Sequence, residues 1–79
     1  MKRVQTTTEK LVEELAAIEH EQWTHWSKAV AAVVSGATRR KWQPNWIPYV
    51  DLPDKVKEDD RVWARKTIDR IGKVTGVKL

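Results

Sequence analysis

Between Glu9 and about Val34 the chain has no proline or glycine, and its apolar residues recur at helical spacing. At about 100° per residue, Leu11, Val12, Leu15, Trp26, Val30 and Val33 share one face, with Ile18 and Trp23 flanking it on opposite sides. The pattern predicts one long amphipathic helix, roughly 38 Å at 1.5 Å per residue. Thr8 is its expected N-cap, with Glu9 and Glu13 near the positive end of the dipole. Its expected end is Ser35-Gly36, with Gly36 as the C-terminal cap. Ala37 to Gln43 reads as a short helical turn exposing Arg39, Arg40 and Lys41. Pro44, Pro48 and Pro53 then favour an extended connector, with Trp46, Ile47, Tyr49 and Leu52 as apolar anchors. A last helix is expected from Asp51 or Leu52, with Pro53 in its first turn, a restart near Glu58, and an end at Ile71-Gly72. Residues 1–7 and 73–79 read as arms. The fold class is all-α: a long helix packed against a C-terminal helix through a Pro/Trp-rich connector, in one domain with a core of about 9–71.

Seventy-nine residues set a limit on stability. A chain of this length buries roughly 60–65% of its unfolded surface, and its core rarely supplies more than about 3–5 kcal/mol. Cysteine is absent, which removes disulfides and thiolate metal sites. The start, Met-Lys-Arg-Val-Gln-Thr-Thr-Thr, has no apolar stretch behind it and does not read as a signal peptide. The longest apolar run, Ala29 to Val34, is too short to span a bilayer. The expectation is a soluble cytoplasmic protein with no membrane contact. Fifteen basic residues against eleven acidic give a net charge of +4, a mild bias towards an anionic partner. Five tryptophans with no phenylalanine suit base stacking, and in so small a domain they also suit core filling.

Two acids fall where the spacing predicts core. Glu19 lies among Leu15, Trp26 and Val30. Asp60 lies at the centre of the last helix's apolar face, formed by Trp63, Ala64, Thr67, Ile68 and Ile71, with Lys57 and Arg61 at its flanks. A buried carboxylate must be paired and hydrogen-bonded or it is costly. The available partners are Arg61, Lys57, His20, the indole N–H groups and the Tyr49 hydroxyl. Two readings follow: an internal ion-pair network pinning the connector to both helices, or a tryptophan-walled pocket for a polar small molecule.

His20 and His25 lie about 140° apart on a helix and cannot chelate one metal as an i, i+4 pair would. No serine sits in a nucleophile elbow and no Gly-rich phosphate loop is present. Neither catalysis nor a cofactor is therefore expected. Arg39-Arg40-Lys41-Trp42, with Trp46 nearby, interleaves cations with aromatics, a combination that suits single-stranded nucleic acid. The competing reading is a solvated loop with its tryptophans turned inward.

The order of residues resembles the ryanodine-receptor-type (RyR) domain. Leu15-Ala16-Ala17-Ile18-Glu19-His20-Glu21-Gln22-Trp23 is similar to that family's leucine-alanine and histidine-glutamate-any-tryptophan helix. Pro48-Tyr49-Val50-Asp51-Leu52-Pro53, followed by Lys57 and Asp60-Arg61, is similar to its proline-tyrosine, leucine-proline, lysine and aspartate-arginine pattern. Ala64 and Ile68 continue the match, which spans roughly residues 11–71. The glycine-tryptophan and tyrosine-glycine turn of the channel domains is missing, so the chain looks like the short prokaryotic or phage branch. Ligand contacts made through that turn do not carry over.

The resemblance implies a non-enzymatic helical module that binds or senses a nucleotide-derived signal. In a viral setting it implies sequestration of such a signal. The matched polar and aromatic residues are His20, Trp23, Tyr49, Lys57, Asp60 and Arg61. With Trp46 they make the expected ligand set: Arg61 and Lys57 on phosphate, Trp23 or Trp46 stacked on a base, His20 and Asp60 orienting it. The expected state is a homodimer or higher homo-oligomer. A structural or protein-interaction module is the alternative, and single-stranded nucleic-acid binding through residues 39–46 the next.

Overall fold

A computed structural model describes residues 6–79. The expected N-terminal arm falls largely outside them. The described chain is all-α: helix α1 (Thr7–Val30), helix α2 (Gly36–Trp42) and helix α3 (Asp54–Thr75), with single 3₁₀ turns at Ala31–Val33, Gln43–Asn45 and Tyr49–Asp51. The long first helix packs against the C-terminal one, and the proline-rich connector runs between them, as the periodicity predicts.

The boundaries differ from expectation for local reasons. Thr6, not Thr8, caps α1, its hydroxyl accepting the Glu9 N–H at 3.1 Å, and Thr7 and Thr8 are already helical. The helix does not continue to Val34. It closes at Val30, and Val34 is fully extended, consistent with the low helix propensity of a segment rich in β-branched valine. The released Ala31 carbonyl accepts two bonds from the Arg39 guanidinium, at 3.0 and 2.7 Å. Gly36 does not cap α1; it opens α2, whose N-cap is Ser35, with its hydroxyl accepting the Thr38 N–H. Pro53 precedes α3 as its cap residue, and the helix runs unbroken through Glu58. It passes Gly72 and stops at Gly76, whose left-handed φ of 74° suits glycine. Lys73 to Thr75 are therefore helix, not tail.

Helices α1 and α3 run antiparallel. As the α3 number rises the α1 number falls: Asp60 meets His20, Arg61 meets Glu13, and Arg65 lies beside Thr8 and Glu9. In the register set by His20 and Asp60, Ala16 falls opposite Ala64, and both are completely buried. On α3 the predicted apolar face contains the buried Ala64, whereas on α1 the buried stripe lies to one side of the predicted face. On α1 the buried residues are Ala16, His20 and Ser27, whereas Trp26 is 55% and Val33 85% exposed. The seam forms where small side chains let two helices approach, because interaxial distance follows the size of the contacting residues. Leu52, from the connector, completes the buried apolar set. The two long helices have 24 and 22 residues, nearly equal lengths.

Candidate functional site

Three polar residues of α1 organise the connector. Glu13, His20 and Ser27 follow one another at seven-residue intervals, which keeps them on one stripe of the helix. Each holds a different point of the connector. The Ser27 hydroxyl accepts the Trp46 indole N–H at 2.9 Å. His20 Nε2 lies 2.7 Å from the Ile47 carbonyl; a carbonyl only accepts, so Nε2 carries the hydrogen. Glu13 accepts the Tyr49 hydroxyl at 2.7 Å. The connector therefore runs back along α1, from its C-terminal end towards its middle. Among the described residues no buried side-chain polar atom lacks a partner.

Glu13 also ties in α3. Arg61 donates to it at 2.6 Å and to Asp54 at 2.8 Å, with Glu58 3.7 Å away. Burial pushes the Glu13 carboxyl up, but the Tyr49 hydroxyl and the Arg61 guanidinium together hold it below its ordinary value. Tyr49 is pushed up to about 12, by burial first and then by its bond to the Glu13 carboxylate. Arg61 is raised by its bonds to Asp54 and Glu13. The ion-pair network read from the sequence thus exists, but its central acid is Glu13, not Glu19. The seven-residue spacing of Glu13 with His20 and Ser27 is the signal that finds it.

Asp60 lies on the other flank of His20, with Oδ2 3.7 Å from Nδ1. Burial raises its pKa, the nearby His20 opposes the rise, and Asp59 and Glu19 add to it. The Trp23 ring stacks on His20 at 5.8 Å and 24°, and meets Trp42 edge-on at 6.2 Å. Trp42 also packs on Trp26 at 5.7 Å.

Between α1 and the connector lies an open cleft of about 870 Å³. His20, Trp46, Tyr49 and Lys57 of the expected set line it, together with His25, Lys28, Glu14 and Glu21. Lys28 Nζ sits 5.9 Å from the Trp46 ring centre, and Lys57 Nζ 5.5 Å from that of Tyr49. The structure therefore brings four of the seven expected residues to one cleft and places Trp23, Asp60 and Arg61 outside its lining. Lys28, Thr24 and Glu21, which the sequence reasoning did not select, belong to that lining.

The basic and aromatic segment is divided by the fold. Arg39 is committed to the Ala31 carbonyl and Trp42 to the other indoles, while Arg40 and Lys41 are exposed. Among the described residues, no group of three or more His, Cys, Asp or Glu side chains could hold a metal ion. None of the described helices is long and apolar enough to cross a membrane.

The Ser27–Trp46 bond gives a direct test of how the cleft is held. Ser27 is fully buried, so Ser27→Ala strands an indole N–H that water reaches poorly. A loss of about 1–2 kcal/mol is expected, together with a change in tryptophan emission. An unchanged melting curve and spectrum would show that Trp46 is held by packing alone.

The fold and this site define a small helical module whose connector is laced to one helix and walls an open cleft. Comparison with protein-family models, curated proteins and solved structures gives no match for this chain.

Proposed function

We propose that this chain is a non-enzymatic binding module of the RyR type that holds a small nucleotide-like ligand in the cleft between α1 and the connector, and that it works as a homo-oligomer. The observation carrying this reading is the composition of the cleft. Two aromatic rings, each with an ammonium group near its face, stand beside an apolar floor of Ala17, Ile47 and Pro48. The volume lies within the roughly 300–1,000 Å³ of small-molecule sites.

The sign of the lining refines the ligand class. Lys28 and Lys57 are accompanied by Glu13, Glu14 and Glu21, so a bare polyanion would meet repulsion. A nucleotide carries an anionic phosphate for the ammonium groups and N–H donors for the free carboxylate oxygens. Lys57 and Lys28 then replace the expected pair of Lys57 and Arg61 as phosphate partners, since Arg61 already serves three carboxylates. Sequestering or sensing a nucleotide-derived signal is the corresponding biological role.

Thermal unfolding followed by tryptophan fluorescence, against mono-, di- and cyclic nucleotides and ADP-ribose derivatives, tests this. A ligand at 100 times its dissociation constant adds about 2.7 kcal/mol. Lys28→Ala should abolish most of that gain and leave the ligand-free melting temperature unchanged, because the side chain is exposed. No shift across the panel would transfer the weight to a structural or protein-interaction module. The internal use of Arg61 and Tyr49 already speaks for that second reading. Nucleic-acid binding has less support, because Trp42 and Trp46 are both engaged within the fold.

A further inference from the structure

Among the described residues, the connector covers one face of the α1–α3 pair, while the opposite face carries Trp42 of α2 against Trp26 and is otherwise exposed at Trp63 and Val74. Ala16 and Ala64 mark the seam. Glu13, Ala17 and Thr24 lie about 60–100° from Ala16 in the sense of rising residue angle, and Arg61 lies about 60° from Ala64 in the same sense. These residues face the connector or the Glu13 cluster. Leu15 and Trp26 lie about a quarter-turn from Ala16 in the opposite sense, and Trp63 and Val74 about a quarter-turn from Ala64 in that sense too. In an antiparallel pair, rotation in the same sense about each helix leads to the same face. Two observations agree: Glu13 and Arg61 meet on the connector side, while Glu19 and Asp60, both turned the other way, sense each other's charge.

That second face is apolar. Trp26 is 55% exposed and Trp63 56%, and Val74 is more open still. The molecule is flat, 44 × 37 × 14 Å, and its second face presents Trp63 and Val74 to solvent.

We infer that this exposed face of α1 and α3 is a twofold interface with a second copy of this chain, centred on Trp63. The inference rests on the self-association proposed above and names its surface. The charges choose the direction of the axis. Along α3, Asp59 and Asp60 precede Trp63, while Lys66 and Arg70 follow it. A twofold axis lying in the face and crossing the helices sets α3 antiparallel on the partner's α3. It brings the acidic end of one copy to the basic end of the other. An axis along the helices would set like charges together, which is unfavourable. The Lys66 ammonium, 4.4 Å from the Trp63 ring centre, sits at the rim of this contact.

Sedimentation equilibrium of the full chain over a wide concentration range tests the proposal. The expected mass is twice the 9.2 kDa of one chain, falling to one chain for Trp63→Glu. The double variant Lys66→Glu/Arg70→Glu, altered at exposed positions, keeps its helical circular dichroism and also becomes monomeric. Mixing it with Asp59→Lys restores dimers. Wild-type protein that stays monomeric throughout would overturn both the self-association and the face. A dimer that survives the charge-reversed and Trp63→Glu changes at undiminished strength would overturn this face and leave the self-association standing.

Discussion

Arg61→Ala is expected to lower stability by about 2–3 kcal/mol, because it removes charge-assisted hydrogen bonds worth about 1.5–3 kcal/mol each where they are shielded from water. The Arg61 side chain is 16% exposed and bonds Glu13 and Asp54. The Asp54 end is open to solvent and contributes little. The main loss comes from Glu13, which would keep a half-buried carboxylate with the Tyr49 hydroxyl alone. In a domain of this size 1 kcal/mol corresponds to roughly 4–8 °C in melting temperature, so a fall of some 10–20 °C is expected. Arg61→Lys should recover less than half of it, since an ammonium cannot fork between two carboxylates. Tyr49→Phe should cost about 1 kcal/mol, and its effect should not add to that of Arg61→Ala, because both act through Glu13. Thermal melts of the single and double variants check this. A variant lacking Arg61 that melts like the wild type would return Arg61 to the set of ligand-binding candidates.

The same cluster fixes the direction of the pH response. Glu13 is held below its unfolded value of 4.5, so its contribution is present above that pH and is lost as the pH falls towards its folded value. Tyr49 is raised from 10.0 to about 12, so its contribution is complete below pH 10 and disappears as the pH rises towards 12. Asp60 is raised from 3.8 by burial and has the opposite sign to Glu13. It costs stability at neutral pH, and that cost is relieved as the pH falls through its folded value. Wild-type acid sensitivity is thus a difference between two carboxylates. Asp60→Asn should steepen the acid loss, and Arg61→Ala should flatten it.

The parts of the fold legible in the sequence are those written as period and punctuation. The proline-free stretch and the three prolines locate the elements within a few residues, whereas Gly36 and Gly72 do not end helices as expected. What the spacing misplaced was the direction of burial on α1, while on α3 it included the buried Ala64. Large apolar residues such as Trp26 and Trp63 are natural candidates for a core, yet the seam formed on Ala16 and Ala64, whose small size permits close approach. No single-helix pattern records which of two adjacent stripes the partner helix will choose. The candidate site shows the same division. His20 and Tyr49 drew notice as polar groups among apolar ones. Glu13 and Ser27 looked like ordinary surface residues, because their partners lie 36 and 19 positions away. Asp60 and Arg61 are neighbours in sequence but serve different sides of the helix pair, a separation that their spacing on α3 makes inevitable.

Ala64→Leu should be the most damaging exchange of one apolar residue for another. Ala64 and Ala16 are both 0% exposed, and the antiparallel register set by His20 and Asp60 places them opposite each other. Three extra carbon atoms at that point cannot turn into solvent without separating the helices. Overpacking typically costs about 1–3 kcal/mol where neighbours can relax. Here relaxation would also stretch the Glu13–Arg61 bond and the His20–Asp60 contact, which bridge the same seam. A total loss above about 3 kcal/mol is expected, comparable to the whole stability of a core this small. The variant should therefore lose cooperative melting at room temperature while keeping part of its helical circular dichroism. Ala64→Ser, which adds one atom, should remain folded. Val62→Ala, at an exposed position one turn-edge away, should change stability by no more than about 0.5 kcal/mol. A cooperative Ala64→Leu melt at the wild-type temperature would mean that the helices are not joined at their alanines, and with that the exposed apolar face would lose its geometric basis as well.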